Sequence, residues 1–215
     1  MSATIILAKQ ESTGRILHIN DVLKEQRAGF YCVGCGKEMI VIKSEARIKD
    51  WHFRHSEETL CTGSRDTALH DFAMQVIMEN ATISISKKLQ IAYSNPRKEV
   101  TVFGKRSDVT VKYKNEDVHF EVFVTNDLAK EKIDIYKANK VKCVRIDLSE
   151  PELLTVSPEK IKEAVLSFHK NKTIIYWKCE PLTESQQSFS LGNIFLGIAA
   201  LIGLGFLIKR LSGKR

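Results

Sequence analysis

Between Arg106 and Lys132 the chain alternates apolar and polar residues twice. Val109 and Val111 are interleaved with Asp108, Thr110 and Lys112, the period-two pattern of a half-buried strand. Lys114-Asn115-Glu116-Asp117 supplies a polar turn. A second alternating run follows, with Val118, Phe120, Val122 and Val124 on one face and His119, Glu121 and Phe123 on the other. A turn centred near Lys114 and Asn115 sets Asp108 about opposite Glu121, whereas a slip of one residue would part their faces. Beyond the second strand, Thr125-Asn126-Asp127 predicts a helix start, which puts Lys132 in the second turn.

The same patterning predicts the elements on either side. Residues 4–8 read as a short buried strand, Gly14 as part of a polar turn, and Arg15 to Ile19 as the hairpin partner. Residues 64–79 carry a helical stripe of Leu69, Phe72, Ala73, Val76 and Ile77, with Asp66 and His70 four apart on its edge. Residues 82–93 alternate as a strand, Asn95-Pro96 marks a turn, and Glu99 to Phe103 starts a further strand running into Asp108. A helix over 127–138 and a buried strand over Val141 to Leu148 follow the Glu121 strand. The resulting order is helix, three strands, helix, strand, an αβββαβ core. Ser157 and Pro158 open an amphipathic helix over 158–170, and Ile174 to Trp177 reads as a strand covering one sheet edge.

Cysteine spacing adds a second feature. The five cysteines stand at 32, 35, 61, 143 and 179, an odd set without a signal-sequence pattern ahead of it. That predicts a reducing compartment, with metal ligands or free thiols rather than a disulfide framework. Cys32-Val33-Gly34-Cys35-Gly36 forms a CxxC knuckle, and Trp51-His52-Phe53-Arg54-His55 and then Cys61 lie downstream. Tetrahedral Zn²⁺ takes four such ligands. The favoured set is Cys32, Cys35, His52 and His55, with Cys61 the alternative to either histidine. A closed four-ligand site is structural, and a degenerate knuckle with free thiols is the competing possibility.

Asp108 and Glu121 on adjacent strands, with a lysine nearby, form a candidate site for Mg²⁺ or Mn²⁺ on a phosphate. Such an ion polarises the phosphate and acidifies an attacking water, and the lysine faces the developing anion. The plainer alternative is a solvent-facing Asp and Glu on an ordinary hairpin. The net charge of +7 is compatible with nucleic acid or an anionic membrane surface and specific to neither.

Asp108, the run Glu121-x-x-Val124-Thr125-Asn126, Lys132 and the strand end Ile146-Asp147-Leu148-Ser149 resemble the PD-(D/E)XK nuclease core, and more narrowly the competence protein CoiA-like family. The likeness extends to the Cys-x-x-Cys and His-Phe-x-His pairs and to Asp66-Thr-Ala-Leu-His70, and covers about residues 1–180. It implies a restriction-endonuclease-like α/β fold. It further implies a catalytic set of Asp108, Glu121 and Lys132, assisted by Asp66 and His70, with structural Zn²⁺ and catalytic Mg²⁺ or Mn²⁺. The sequence departs from the family where Phe123 replaces the usual lysine. Lys132 matches the lysine that CoiA-like chains supply from the following helix, and Lys130 is the next candidate. Asp66 replaces a Glu, Met74 a common Lys and Asn126 a His. The implied activity is nuclease cleavage of DNA, with RNA also open, in DNA uptake and processing or in defence against foreign DNA. A catalytically inactive nucleic-acid-binding or scaffold module is the alternative.

The C-terminus has a different character. Residues 181–190 form a polar linker, and Leu191 to Ile208 run 18 residues without a charge before the basic end at 209–215. As a helix this segment rises about 27 Å, enough for a thin bilayer. Ala199-x-x-x-Gly203 suits close helix approach, so a homo-oligomer or a membrane-protein partner is expected there. The basic end alone would put the N-terminal domain outside, but a thiol module without an export signal belongs inside. The expected arrangement is a single-pass C-terminal anchor with the nuclease-like domain in the cytoplasm. The expected divisions are 1–62 (hairpin and zinc-ribbon-like module), 63–180 (nuclease-like domain), the linker, the transmembrane helix and the basic tail.

Overall fold

The computed structural model describes residues 4–43, 50–58, 61, 64–125 and 128–178. The linker, transmembrane and basic-tail segments expected over 181–215 lie outside the described residues, as does Asn126. Among the described residues no helix is long and apolar enough to cross a membrane.

Five antiparallel strands come first: β1 (Leu7–Gln10), β2 (Ile16–His18), β3 (Phe30–Tyr31), β4 (Glu38–Ile42) and β5 (His52–His55). Their sheet order is β2-β1-β3-β4-β5, and a bridge from Ile5 to Phe53 ties the last strand back to the first. Gly14, at φ +67°, makes the expected first turn. Phe30 and Phe53 are buried with ring centroids 5.1 Å apart.

Next comes α1 (Ser64–Glu79), whose expected stripe is buried. The helix also buries Ala68 and Met74, because it packs against both the N-terminal sheet and the larger sheet that follows. Gln75 binds the β2 backbone twice, accepting from Ile16 N at 2.8 Å and donating to Ile16 O at 3.1 Å. One continuous apolar cluster therefore includes Ile6 and Phe53 as well as Leu69 and Phe120. Met74 is part of that packing.

Two short strands, β6 (Thr82–Ser86) and β7 (Leu89–Ala92), then form a separate hairpin, not the single strand expected over 82–93. Ile83, Ile85, Leu89, Ile91 and Tyr93 all fall on odd positions, so the alternation keeps its phase through the Lys87-Lys88 turn and conceals it.

The main sheet follows with β8 (Ser94–Val102), β9 (Lys105–Tyr113), β10 (Glu116–Phe123), then α2 (Lys130–Ala138), β11 (Cys143–Asp147), α3 (Pro158–Leu166) and β12 (Lys172–Tyr176). Its order is β12-β11-β10-β9-β8, with β10 and β11 parallel and the other pairs antiparallel. The three-strand meander thus begins at Ser94. Asn95-Pro96 is not a turn but lies in β8 at a register shift. Because β8 is an edge strand, a proline there breaks no ladder on its outer side. The turn falls instead at Phe103-Gly104, with φ of +47° and +73°.

The parallel β10–β11 pair requires a crossover, and α2 supplies it. Val118, Phe120 and Val122 pack into the core shared with α1, while Tyr136, Val141 and Cys143 form a small cluster on the α2 side. His119 and Glu121 therefore face α2 rather than open water, which removes the clean apolar–polar division of a half-solvated hairpin. The fold is α/β with mixed sheets and few helices.

Candidate active site and metal cluster

The β9–β10 turn is made by Lys114 and Asn115, both at positive φ (49° and 64°), which fits the primed two-residue turns that match strand twist. Val118 pairs with Val111 and Phe120 with Val109, and the same register sets Asp108 across from Glu121. Asp108 uses Oδ2 to accept the Val122 amide at 2.7 Å, which fixes the carboxylate against β10.

Helix α2 starts at Lys130, with no side-chain cap at Ala129, so Lys132 lies in the first turn rather than the second. From there its ammonium donates to Glu121 Oε2 at 2.5 Å and to Arg106 O at 2.7 Å. One turn later on the same helix face, the Tyr136 hydroxyl donates to Glu121 Oε1 at 3.1 Å. Both oxygens of this buried carboxylate are thus engaged. Burial, then the charge of Asp108, push Glu121 up to about 7, against the opposing pull of Lys132 and Tyr136. A carboxylate so placed is held by its partners and not by solvent.

His70 reaches the same place from α1. Its Nε2 lies 3.3 Å from Asp108 Oδ2, and its Nδ1 lies 3.3 Å from Asp71 Oδ1. Burial alone would lower its pKa, but the hydrogen bonds and charges of Asp108 and Asp71 push it up to about 9. Imidazolium and ammonium each therefore neutralise one carboxylate. Asp66, one turn earlier, lines the mouth of the resulting cavity of about 440 Å³ together with His70, Asp108, Glu121 and Lys132. Lys130, the other candidate lysine, is exposed and does not line it.

Tyr136 and Asp71 belong to no motif of the sequence. The available signal for Tyr136 was its position four residues after Lys132; for Asp71 it was adjacency to His70. Phe123 lines the cavity, and the Arg145 guanidinium stacks 4.3 Å from its ring centroid while donating to Asp147 at 3.1 Å. Position 123 thus carries an aromatic ring backed by an arginine.

The cysteine knuckle forms a second cluster. Cys32 N donates to Lys37 O and Gly36 N to Cys32 O, and Gly36 takes the φ of +70° that closes the turn. Cys32, Cys35, His55 and Cys61 bring their ligand atoms within 4.8 Å of one another, so the cluster is able to hold a metal such as zinc. Cys32 Sγ is 3.6 Å from Cys61 Sγ, and Cys35 Sγ is 3.3 Å from His55 Nε2. Sulfurs bound tetrahedrally at about 2.3 Å would be about 3.8 Å apart, close to what is seen. The fourth member of the cluster is Cys61 and not the favoured His52. An interval of three residues on a strand puts His52 and His55 on opposite faces, and His52 Nδ1 donates to Asp50 O at 2.8 Å.

Comparison of the chain with protein-family models, curated proteins and solved structures gives no match.

Proposed function

We propose that the protein is a metal-dependent nuclease of the PD-(D/E)XK, CoiA-like kind, with a structural zinc ion and a C-terminal membrane anchor over 191–208. The observation that carries this reading is convergence. Asp108, Glu121, Lys132, His70 and Asp66 come from two strands and two helices, yet meet at one cavity. An ordinary solvent-facing hairpin gives no reason for an acid on β10 to be buried between a lysine and a tyrosine.

The donor set fits Mg²⁺ or Mn²⁺: two carboxylates across one hairpin leave the remaining positions to water and phosphate. When bound, the ion supplies phosphate polarisation and an acidified water. The chain's own groups do the rest. Lys132 presents positive charge to the phosphate at the cavity floor. His70 holds Asp108 and adds a second cation at the mouth. Asp66 is placed to orient water or a further metal ligand. Cys32, Cys35, His55 and Cys61 hold zinc in a closed structural site at the edge of the N-terminal sheet.

Phe123 supports a second reading, a nucleic-acid-binding module that has lost cleavage, because the usual lysine is absent from β10. The two separate on incubation of the full chain, in mild detergent, with linear, circular and single-stranded DNA in Mg²⁺, Mn²⁺ or EDTA. Metal-dependent cutting supports the nuclease. Salt-dependent binding without cutting supports the adaptor.

A further inference from the structure

We propose that Lys132 is the resident cation of the metal site, displaced from Glu121 when a divalent ion enters, with Tyr136 the positioning residue that keeps Glu121 in place during the exchange. The inference rests on the nuclease reading for its chemistry, but its geometry is independent of turnover.

Glu121 has two oxygens and both are occupied: Oε2 by the Lys132 ammonium and Oε1 by the Tyr136 hydroxyl. The two donors are unlike. Tyr136 is fully buried in the small cluster with Val141 and Cys143, so its hydroxyl cannot leave without disturbing packing. Lys132 has a second anchor, the Arg106 carbonyl at 2.7 Å, and so can give up Glu121 while its ammonium stays at the cavity. A divalent ion and the Lys132 ammonium compete for Oε2, since like charges drawn to one carboxylate oxygen repel each other even in a partly solvated site. Oε2 is then the oxygen open to exchange and Oε1 the one held fixed.

The consequence is functional. With the site empty of metal, Lys132 is sequestered by Glu121 and presents little charge to an incoming phosphate. Once released, it remains tethered by Arg106 O and faces the cavity. The activating ammonium becomes available only in company with the metal, which restricts the assembled site to the loaded state.

Mn²⁺ affinity, measured by electron paramagnetic resonance on the full chain, tests the exchange without any need for cleavage. Lys132→Met removes the competitor and is expected to bind Mn²⁺ at least about five-fold more tightly than the parent. Tyr136→Phe frees Glu121 to turn and is expected to bind at least about five-fold more weakly. Lys132→Met binding no more tightly than the parent, or Tyr136→Phe binding equally well, overturns the proposal. A second measurement uses the parent chain alone, so that a folding defect in a variant cannot obscure the result. Acetylation of Lys132 by acetic anhydride, followed by peptide mass spectrometry, is expected to accelerate several-fold when Mg²⁺ replaces EDTA; an unchanged or slower rate overturns the exchange. A protein that shows both effects yet cuts no nucleic acid loses the nuclease reading and keeps this one.

Discussion

Glu121 is the residue on which the site turns, and part of its setting was legible in sequence. The Lys114-Asn115 turn fixes the hairpin register, so the opposition of Asp108 and Glu121 follows from counting back from two residues. What counting does not give is the third dimension. Tyr136 reaches Glu121 only because α2 begins at Lys130, and Asp71 matters only because His70 turns one ring nitrogen to it and the other to Asp108. The His70 pair carries a pH signature. Its folded pKa, near 9, exceeds the ordinary 6.5, so the folded chain retains a proton that the unfolded chain has lost between those values. The stabilisation is complete below about 6.5 and is lost as pH rises through about 9. In metal-free buffer His70→Asn should lower stability by about 1–3 kcal/mol near pH 6 and by much less near pH 10. Urea denaturation of both proteins at the two pH values checks this; a difference independent of pH would mean that the imidazole acts by packing and not by charge.

At the scale of elements, periodicity identified the strands flanking the site and the helix that carries His70, and it failed where phase survives a turn. The β6–β7 hairpin keeps its isoleucines on odd positions throughout, so nothing in the alternation marks the reversal at Lys87-Lys88. Phe103-Gly104 lacks the Asn-Gly or Asp-Gly signature of a two-residue hairpin, although its glycine supplies one of the two positive φ angles. The knuckle shows the same limit. CxxC is readable as a ligand pair, but pairing His52 with His55 spans an interval that a strand splits between two faces. Zinc content follows directly. His52→Ala should retain the metal at the parent stoichiometry, whereas Cys61→Ser should lose most of it and melt at least about 5 °C lower, since a structural zinc contributes folding free energy. Elemental analysis and a thermal melt of the two variants decide it, and zinc loss on His52→Ala with retention on Cys61→Ser would reverse the assignment.

At the scale of the molecule, the N-terminal sheet and the main sheet share α1 and one apolar core, so the cysteine cluster belongs to the same unit that carries the cavity. That sharing was not legible from the helix stripe, which names one buried face and cannot say that two sheets contact it. The anchor proposed for 191–208 predicts that the full chain stays with membranes through an alkaline carbonate wash, while a chain ending at Lys178 is released to the supernatant. Equal partition of the two would remove the anchor from the account. The central claim is that the hairpin carboxylates make a metal-dependent nuclease site, and the most direct measurement is cleavage by the full chain in Mg²⁺ beside Asp108→Ala and Glu121→Ala, with His52→Ala as a control outside the cavity. The account predicts cutting by the parent and the control, none in EDTA, and a loss of at least about 100-fold in each carboxylate variant, the scale expected when charge stabilisation at the reacting phosphate is removed. Cleavage that persists in both carboxylate variants, or its absence from a folded, metal-loaded parent on every substrate form, would contradict it.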